Sequence, residues 1–166
     1  MTEHRTPRIV HLIEAPEAAV TLARWFVDEW TPYYGPDGPG DAARDLAACD
    51  SRDALPICLV ALDADGTVLG TAALKTESVG SELGVGPWLG GLLVGPAHRG
   101  RGAGTALVAA IEAEARRLGV PALYTSTDTA EAMLERRGWT RFGRADSLRG
   151  ATTVYRKDLR DQAVRD

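Results

Sequence analysis

Residues 94–108 read VGPAHRGRGAGTALV. The stretch carries four glycines and two arginines and follows the apolar run WLGGLLV at 88–94. A chain that leaves a strand through bare, cationic backbone and then starts a helix presents amide N–H groups with no intrahelical partner. Those amides and the helix dipole attract phosphate oxygens. Glycines let a ligand approach the main chain with no Cβ in the way, and Arg99 and Arg101 add positive charge. The stretch therefore predicts an anionic ligand at a strand–loop–helix junction.

Three phosphate-loop patterns discriminate further. The P-loop pattern G-x-x-x-x-G-K-[ST] begins well at Gly95 and Gly100 but continues with Arg101 and Gly102. The dinucleotide pattern G-x-G-x-x-G fits Gly100 and Gly102 but has Thr105 third, and no acidic residue follows near Leu123–Ser126. The pattern that fits is R-x-x-G-x-G, at Arg99, Gly102 and Gly104, after a strand ending V-x-P.

Working outward, the spacing of Val20, Ala23, Val27 and Trp30 predicts an amphipathic helix over 16–30, ended by Pro32. TPYYGPDGPG reads as a loop, and Asp41 as the cap of a second helix to about Cys49. Ile9–Ile13 is a short strand. PICLVAL reads as a strand buried on both faces, DADG as a hairpin turn with Gly66 at positive φ, and TVLGTAALK as the return strand. A helix is expected over 105–118, with Leu107, Ile111, Ala115 and Leu118 on one face and Glu112, Arg116 and Arg117 elsewhere. Gly119 and Pro121 stop it. ALYTST is a strand. Asp128 and Glu131 suggest a capping box for a helix to about Arg137. WTRFGRAD and TTVYRKDL form a closing antiparallel pair. The order is mixed rather than repeated βαβ, which disfavours a doubly wound sheet.

The region from about Trp88 to Trp139 resembles the GNAT superfamily of N-acetyltransferases. Its members commonly carry L-x-V-x-P, R-G-x-G-I-G, a long helix, a strand, and A-x-x-L-Y-E-K-x-G-F. The corresponding segments here are Leu92–Pro96, Arg101–Gly104 with Ala103 for the usual Ile, the helix to Leu118, the strand 122–127, and AEAMLERRGW at 130–139. The resemblance implies a single α/β domain over 1–166. It also implies a mixed, mostly antiparallel sheet of about seven strands, about four helices, and a central parallel strand pair that splays apart.

The same resemblance implies acetyl-CoA as co-substrate. Its pyrophosphate would sit on the amides of Arg99, Gly100, Arg101, Gly102, Ala103, Gly104 and Thr105. Its pantetheine arm would run beside Leu92, Leu93 and Val94, with the Leu92 N–H polarising the thioester carbonyl. Thr127 stands where relatives often hold the arm with Asn. An amine would attack the thioester directly, which requires loss of a proton from the amine and gain of one by the thiolate. Leu134 occupies the place of the usual Tyr donor and Trp88 that of a Glu base; neither can serve. Glu82 is then the candidate base. The first two helices and their connector would form the acceptor wall. Trp30, Tyr33, Tyr34 and Trp88 would contribute aromatic faces there, and Asp28, Glu29 and Asp37 negative charge for a cationic amine. His98 reads as a surface position, and His11 and Tyr124 as packed in their strands.

Bulk properties agree. The chain has 166 residues and net charge −4, with six basic and fourteen acidic residues up to 95 and thirteen and nine after it. An acidic chain of this kind excludes a nonspecific nucleic-acid binder, and the split suits a cationic acceptor and an anionic donor. Two cysteines, Cys49 and Cys58, lack metal-ligand spacing and read as reduced thiols, so no metal is expected. No run approaches a membrane span, and MTEHRTPR has no apolar signal core; a cytoplasmic protein is expected, with a second copy of the chain as a candidate partner in a homodimer. The function expected is acetyl transfer from acetyl-CoA to a primary amine, a small cationic amine rather than a peptide N-terminus. A non-catalytic acyl-CoA sensor is the alternative. A nucleotide-binding module is a third reading, disfavoured by the loop spacing.

Overall fold

The computed structural model describes residues 6–160. Seven strands form one sheet in the order β1-β2-β3-β4-β5-β7-β6. They are β1 (Arg8–His11), β2 (Ile57–Leu62), β3 (Val68–Lys75), β4 (Trp88–Val94), β5 (Ala122–Thr127), β6 (Thr140–Ser147) and β7 (Gly150–Asp158). All neighbours run antiparallel except β4 and β5, which are parallel. Five α-helices, α1 (Ala18–Glu29), α2 (Thr31–Tyr34), α3 (Ala42–Ala47), α4 (Ala103–Arg117) and α5 (Glu131–Arg136), cover the two faces.

β2 is buried at every position, because helices cover both of its faces. Cys58, Val60 and Leu62 pack with Leu22, Phe26 and Leu46 of α1 and α3. Ile57, Leu59 and Ala61 pack with Leu107, Val108 and Ile111 of α4. The β2–β3 turn closes through Gly66 at φ +88°, and the Asp63 carboxylate accepts from the amides of Asp65 and Thr67, both at 3.0 Å.

Four local expectations need correction. In α1 the period is helical but the buried face is Ala18, Leu22 and Phe26, while Val20 is exposed. Most of α1 is apolar, so the sheet beneath it chooses the face. α1 does end before Pro32, at Glu29, but TPYY is not loop: residues 31–34 form α2, with Pro32 in its first turn, where a missing N–H costs nothing. α4 begins at Ala103, not Thr105, with Gly102 as its N-cap. Asp128 does not cap α5. The N-cap of that helix is Ala130, with no side-chain cap; the Thr127 hydroxyl instead accepts from the amides of Thr129 (3.1 Å) and Ala130 (2.8 Å) and orders the turn before the helix.

Glu112, expected off the core face of α4, is 1% exposed. Its carboxylate accepts from Arg137 and from Trp139 Nε1 (2.9 Å). The charge is tolerated inside because three donors meet it there. This ties α4 to the turn after α5.

Candidate active site

The site forms where β4 and β5 part. The two strands are paired at Trp88 and Tyr124, and the Thr125 hydroxyl donates to the Leu89 carbonyl at 2.8 Å. Beyond that point no backbone pair joins them among the described residues. On the other side of β4, Thr71 faces Leu93 and Ala73 faces Gly90. Ala72 alone therefore spans both Gly91 and Leu92, which is a β-bulge in β4. Gly91 takes φ +59° there, a conformation that side chains strain. Trp88 ends the paired part of β4 and Leu92 lies in the splayed part.

A cleft of about 1170 Å³ opens over this gap. Its floor includes Thr71, Ala73, Lys75, Gly90, Gly91 and Leu92. One wall is the α1–α3 segment, and the other is the β6–β7 turn with the end of β5.

The loop after β4 turns through a 3₁₀ helix, Pro96–His98. Gly100 and Gly102 take φ +80° and +87°, and a Cβ at either would meet nothing within 4 Å. Backbone conformation, not crowding, therefore requires glycine there. The first helical hydrogen bond runs from the Ala106 amide to the Gly102 carbonyl at 3.0 Å, so the amides of Ala103, Gly104 and Thr105 lie before it at the α4 N-terminus. The loop and helix start thus present backbone amides without intrahelical partners, an arrangement suited to phosphate. Arg99 is exposed but tethered: its Nε donates to the Val94 carbonyl (3.0 Å) and its Nη2 lies 3.6 Å from Glu29. Arg101 is exposed, with no ion pair among the described residues.

Trp30, Tyr33 and Tyr34 line the cleft as expected. The Phe26 and Tyr34 rings stack 5.6 Å apart, and the Tyr33 and Tyr34 rings meet edge-on at 4.7 Å. The Tyr34 hydroxyl donates to Asp45 at 2.6 Å; burial and that carboxylate push its ionisation well above the ordinary phenol range. Thr127 and Leu134 also line the cleft, so an aliphatic side chain stands where a phenol was sought.

Asp28 and Asp37, expected to charge the acceptor wall, are outside the lining, as are Leu93, Val94 and the 99–105 loop, and two further expected residues lie elsewhere. Trp88 is fully buried and outside the lining. The 78–87 loop crosses its ring at Gly80, its indole N–H donates to Val85 (3.0 Å), and its ring sits 5.8 Å from Tyr124. It therefore supports the sheet and does not contact a ligand in the cleft. Glu82 is exposed on the 3₁₀ turn Ser81–Leu83 and outside the lining, although Ser81 lines it. A base in contact with an amine in the cleft is not supplied by that side chain.

Sequence reasoning missed the floor residues. Lys75, Thr71 and Cys58 share the α1–α3 face of the sheet. The Cys58 thiol is held below its ordinary value chiefly by contact with the Cys49 thiol, and against burial, with Thr71 and Lys75 adding to that effect. The signal was present as strand alternation through Thr71, Ala73 and Lys75. It required knowing which face of β3 the cleft occupies.

The GNAT acetyltransferase family model matches residues 20–139. The chain belongs to the GNAT acetyltransferase family. Solved structures agree in fold. A GCN5-related N-acetyltransferase from Rhodopseudomonas palustris shares 25% identity over 95% of this chain and 99% of its own, with a TM-score of 0.65. The protein yncA of Salmonella typhimurium, assigned as an acetyltransferase and solved with acetyl-CoA, shares 22% identity over 93% and 95%, with a TM-score of 0.69. An aminoglycoside 6′-N-acetyltransferase solved with coenzyme A shares 17% over 92% and 97%, with a TM-score of 0.71. No curated protein matches the sequence significantly. As a GNAT protein, this chain departs from the usual pattern at Trp88 and Leu134 and keeps the strand splay and glycine loop. Among the described residues, no cluster of three or more His, Cys, Asp or Glu is placed to hold a metal, and no helix is long and apolar enough to cross a membrane.

Proposed function

We propose that this GNAT protein transfers the acetyl group of acetyl-CoA directly to a small primary amine. The observation that carries the reading is that one strand, β4, lines the cleft with Gly90–Leu92 where it parts from β5 and leads directly into the Gly100–Thr105 loop at the α4 N-terminus. A phosphate-bearing end and an extended arm need those two features in that order. In this reading Arg99–Thr105 cradle the pyrophosphate, and the arm runs along Leu92–Val94 with Thr127 able to donate its hydroxyl to it. The Leu92 amide faces the thioester oxygen.

The amine nitrogen attacks the thioester carbon, the C–S bond breaks, and the amide forms. One proton leaves the nitrogen and one reaches the coenzyme A thiolate. With Leu134 and Trp88 at the usual proton-handling positions, both protons travel through water, and rate comes from positioning and backbone polarisation. The acidic and aromatic lining, with Trp30, Tyr33, Tyr34 and Glu29, favours a cationic amine over a peptide N-terminus.

The test is free-thiol release when the purified protein meets acetyl-CoA and a broad amine library. Amine-dependent thiol release with a mass increase on the amine is expected. Coenzyme A binding with no turnover across the library would leave an acyl-CoA sensor instead.

A further inference from the structure

The charged groups of the cleft do not balance among themselves. Glu29 lies 3.6 Å from Arg99, Asp45 accepts from Tyr34 at 2.6 Å, and Asp128 lies 3.9 Å from Arg149. Lys75, Glu77 and Asp146 also line the cleft and have no ion pair among the described residues. Of these three, Lys75 alone is half-buried.

Lys75 is the last residue of β3, with its side chain on the same face as Thr71 and Ala73, the floor of the cleft. Its stem runs across Gly90: a Cβ built there would lie 3.0 Å from Lys75 Cδ and 3.2 Å from Ser78 Oγ. Gly90 thus keeps open a channel in which one ammonium stem and one hydroxyl meet. The next residue is Gly91, which forms the bulge. A half-buried ammonium is costly unless a counter-ion meets it; among the described residues no carboxylate pairs with it, and the thiols of Cys58 and Cys49 are the groups whose ionisation it favours.

We propose that Lys75 is the anion-recognition residue of the acceptor half, so that the amine acetylated here carries a carboxylate, bound by the Lys75 ammonium and the Ser78 hydroxyl. One ammonium and one hydroxyl match a monoanion, and the exposed carboxylates of Glu77 and Asp146 elsewhere in the lining disfavour a dianion. The same two carboxylates attract the ammonium form of the incoming amine, so the cleft suits a zwitterion. The proposal rests on the acetyl-transfer reading of the same cleft.

The experiment uses matched amine pairs, each an amino acid and its carboxamide, assayed by thiol release from acetyl-CoA with the wild type and Lys75→Met. The acid is expected to exceed its amide in kcat/KM by about tenfold or more, as an ion-paired hydrogen bond implies. Lys75→Met is expected to bring the acid down to its amide while coenzyme A affinity stays unchanged. Equal rates within pairs, or a preference that survives Lys75→Met, overturn the proposal and leave acetyl transfer standing.

A second arm does not depend on turnover: calorimetry with N-acetylglycine and N-acetylglycinamide in the presence of coenzyme A. Tighter binding of the acid that Lys75→Met abolishes, with no amine acetylated, keeps the carboxylate site and removes the transfer reading. No difference between acid and amide overturns the site. A third arm replaces acetyl-CoA by succinyl-CoA. A Lys75-dependent preference for the succinyl donor would put the carboxylate on the acyl chain and overturn its assignment to the acceptor.

Discussion

Arg137 holds the buried carboxylate of Glu112 with two hydrogen bonds, Nε to Oε2 at 3.0 Å and Nη2 to Oε1 at 2.9 Å. The indole of Trp139 adds a third. The motif AEAMLERRGW is thereby a structural clamp as well as a wall of the cleft, because Leu134 of the same helix lines the site.

Removing the carboxylate leaves Arg137 and the Trp139 N–H facing a cavity. Glu112→Ala is expected to cost about 3 kcal/mol, lowering Tm by roughly 6–12 °C for a domain of this size. Thermal unfolding by circular dichroism checks it. A loss below about 1 kcal/mol would mean that solvent replaces the carboxylate.

The glycine loop makes a sharper claim. Gly102 caps α4 at φ +87° with open space where a side chain would point. Gly102→Glu adds backbone strain and places a negative charge beside the amides proposed to hold the pyrophosphate. Coenzyme A affinity is expected to fall about 100-fold, measured by calorimetry. Unchanged affinity would place the pyrophosphate elsewhere.

Glu82 lies outside the cleft lining, so Glu82→Gln is expected to leave the pH profile of kcat/KM unshifted. A displaced acidic limb would restore Glu82 as a base acting through water.

A pH test concerns α4 and the amino-terminal strand. Burial raises the Glu114 carboxyl, but hydrogen bonds from Arg117 and His11 outweigh it and hold it below its ordinary value. The His11 Nε2 contact is 2.6 Å and the Arg117 Nη2 contact 3.1 Å. A depressed folded value adds stability above the unfolded value, near about 4.3, and that stability is lost as pH falls through the folded value. Urea melts of wild type and Glu114→Gln should therefore differ at neutral pH and converge in acid. A gap that persists or widens in acid contradicts this role.

Much of the chain was legible as sequence. The strand–loop–helix junction, the hairpin at Gly66, the Asp41 cap and the closing antiparallel pair each depend on neighbours within a turn or a strand. Propensity and period report such features directly. The Asp41 carboxylate, for instance, accepts from the Arg44 amide three residues away.

The sequence by itself determined the order of the strands along the chain, the glycine-rich strand–loop–helix junction and the family. It could not decide which face of α1 is buried, that Glu112 lies inside, that Gly80 crosses over Trp88, or that Lys75 lines the cleft floor. Those outcomes depend on partners far along the chain: Arg137 is 25 residues from Glu112, and Lys75 lies over Gly90 across a strand pair whose register shifts at the bulge. Local periodicity marks where a side chain can point, and only the packed sheet and helices decide what it meets there.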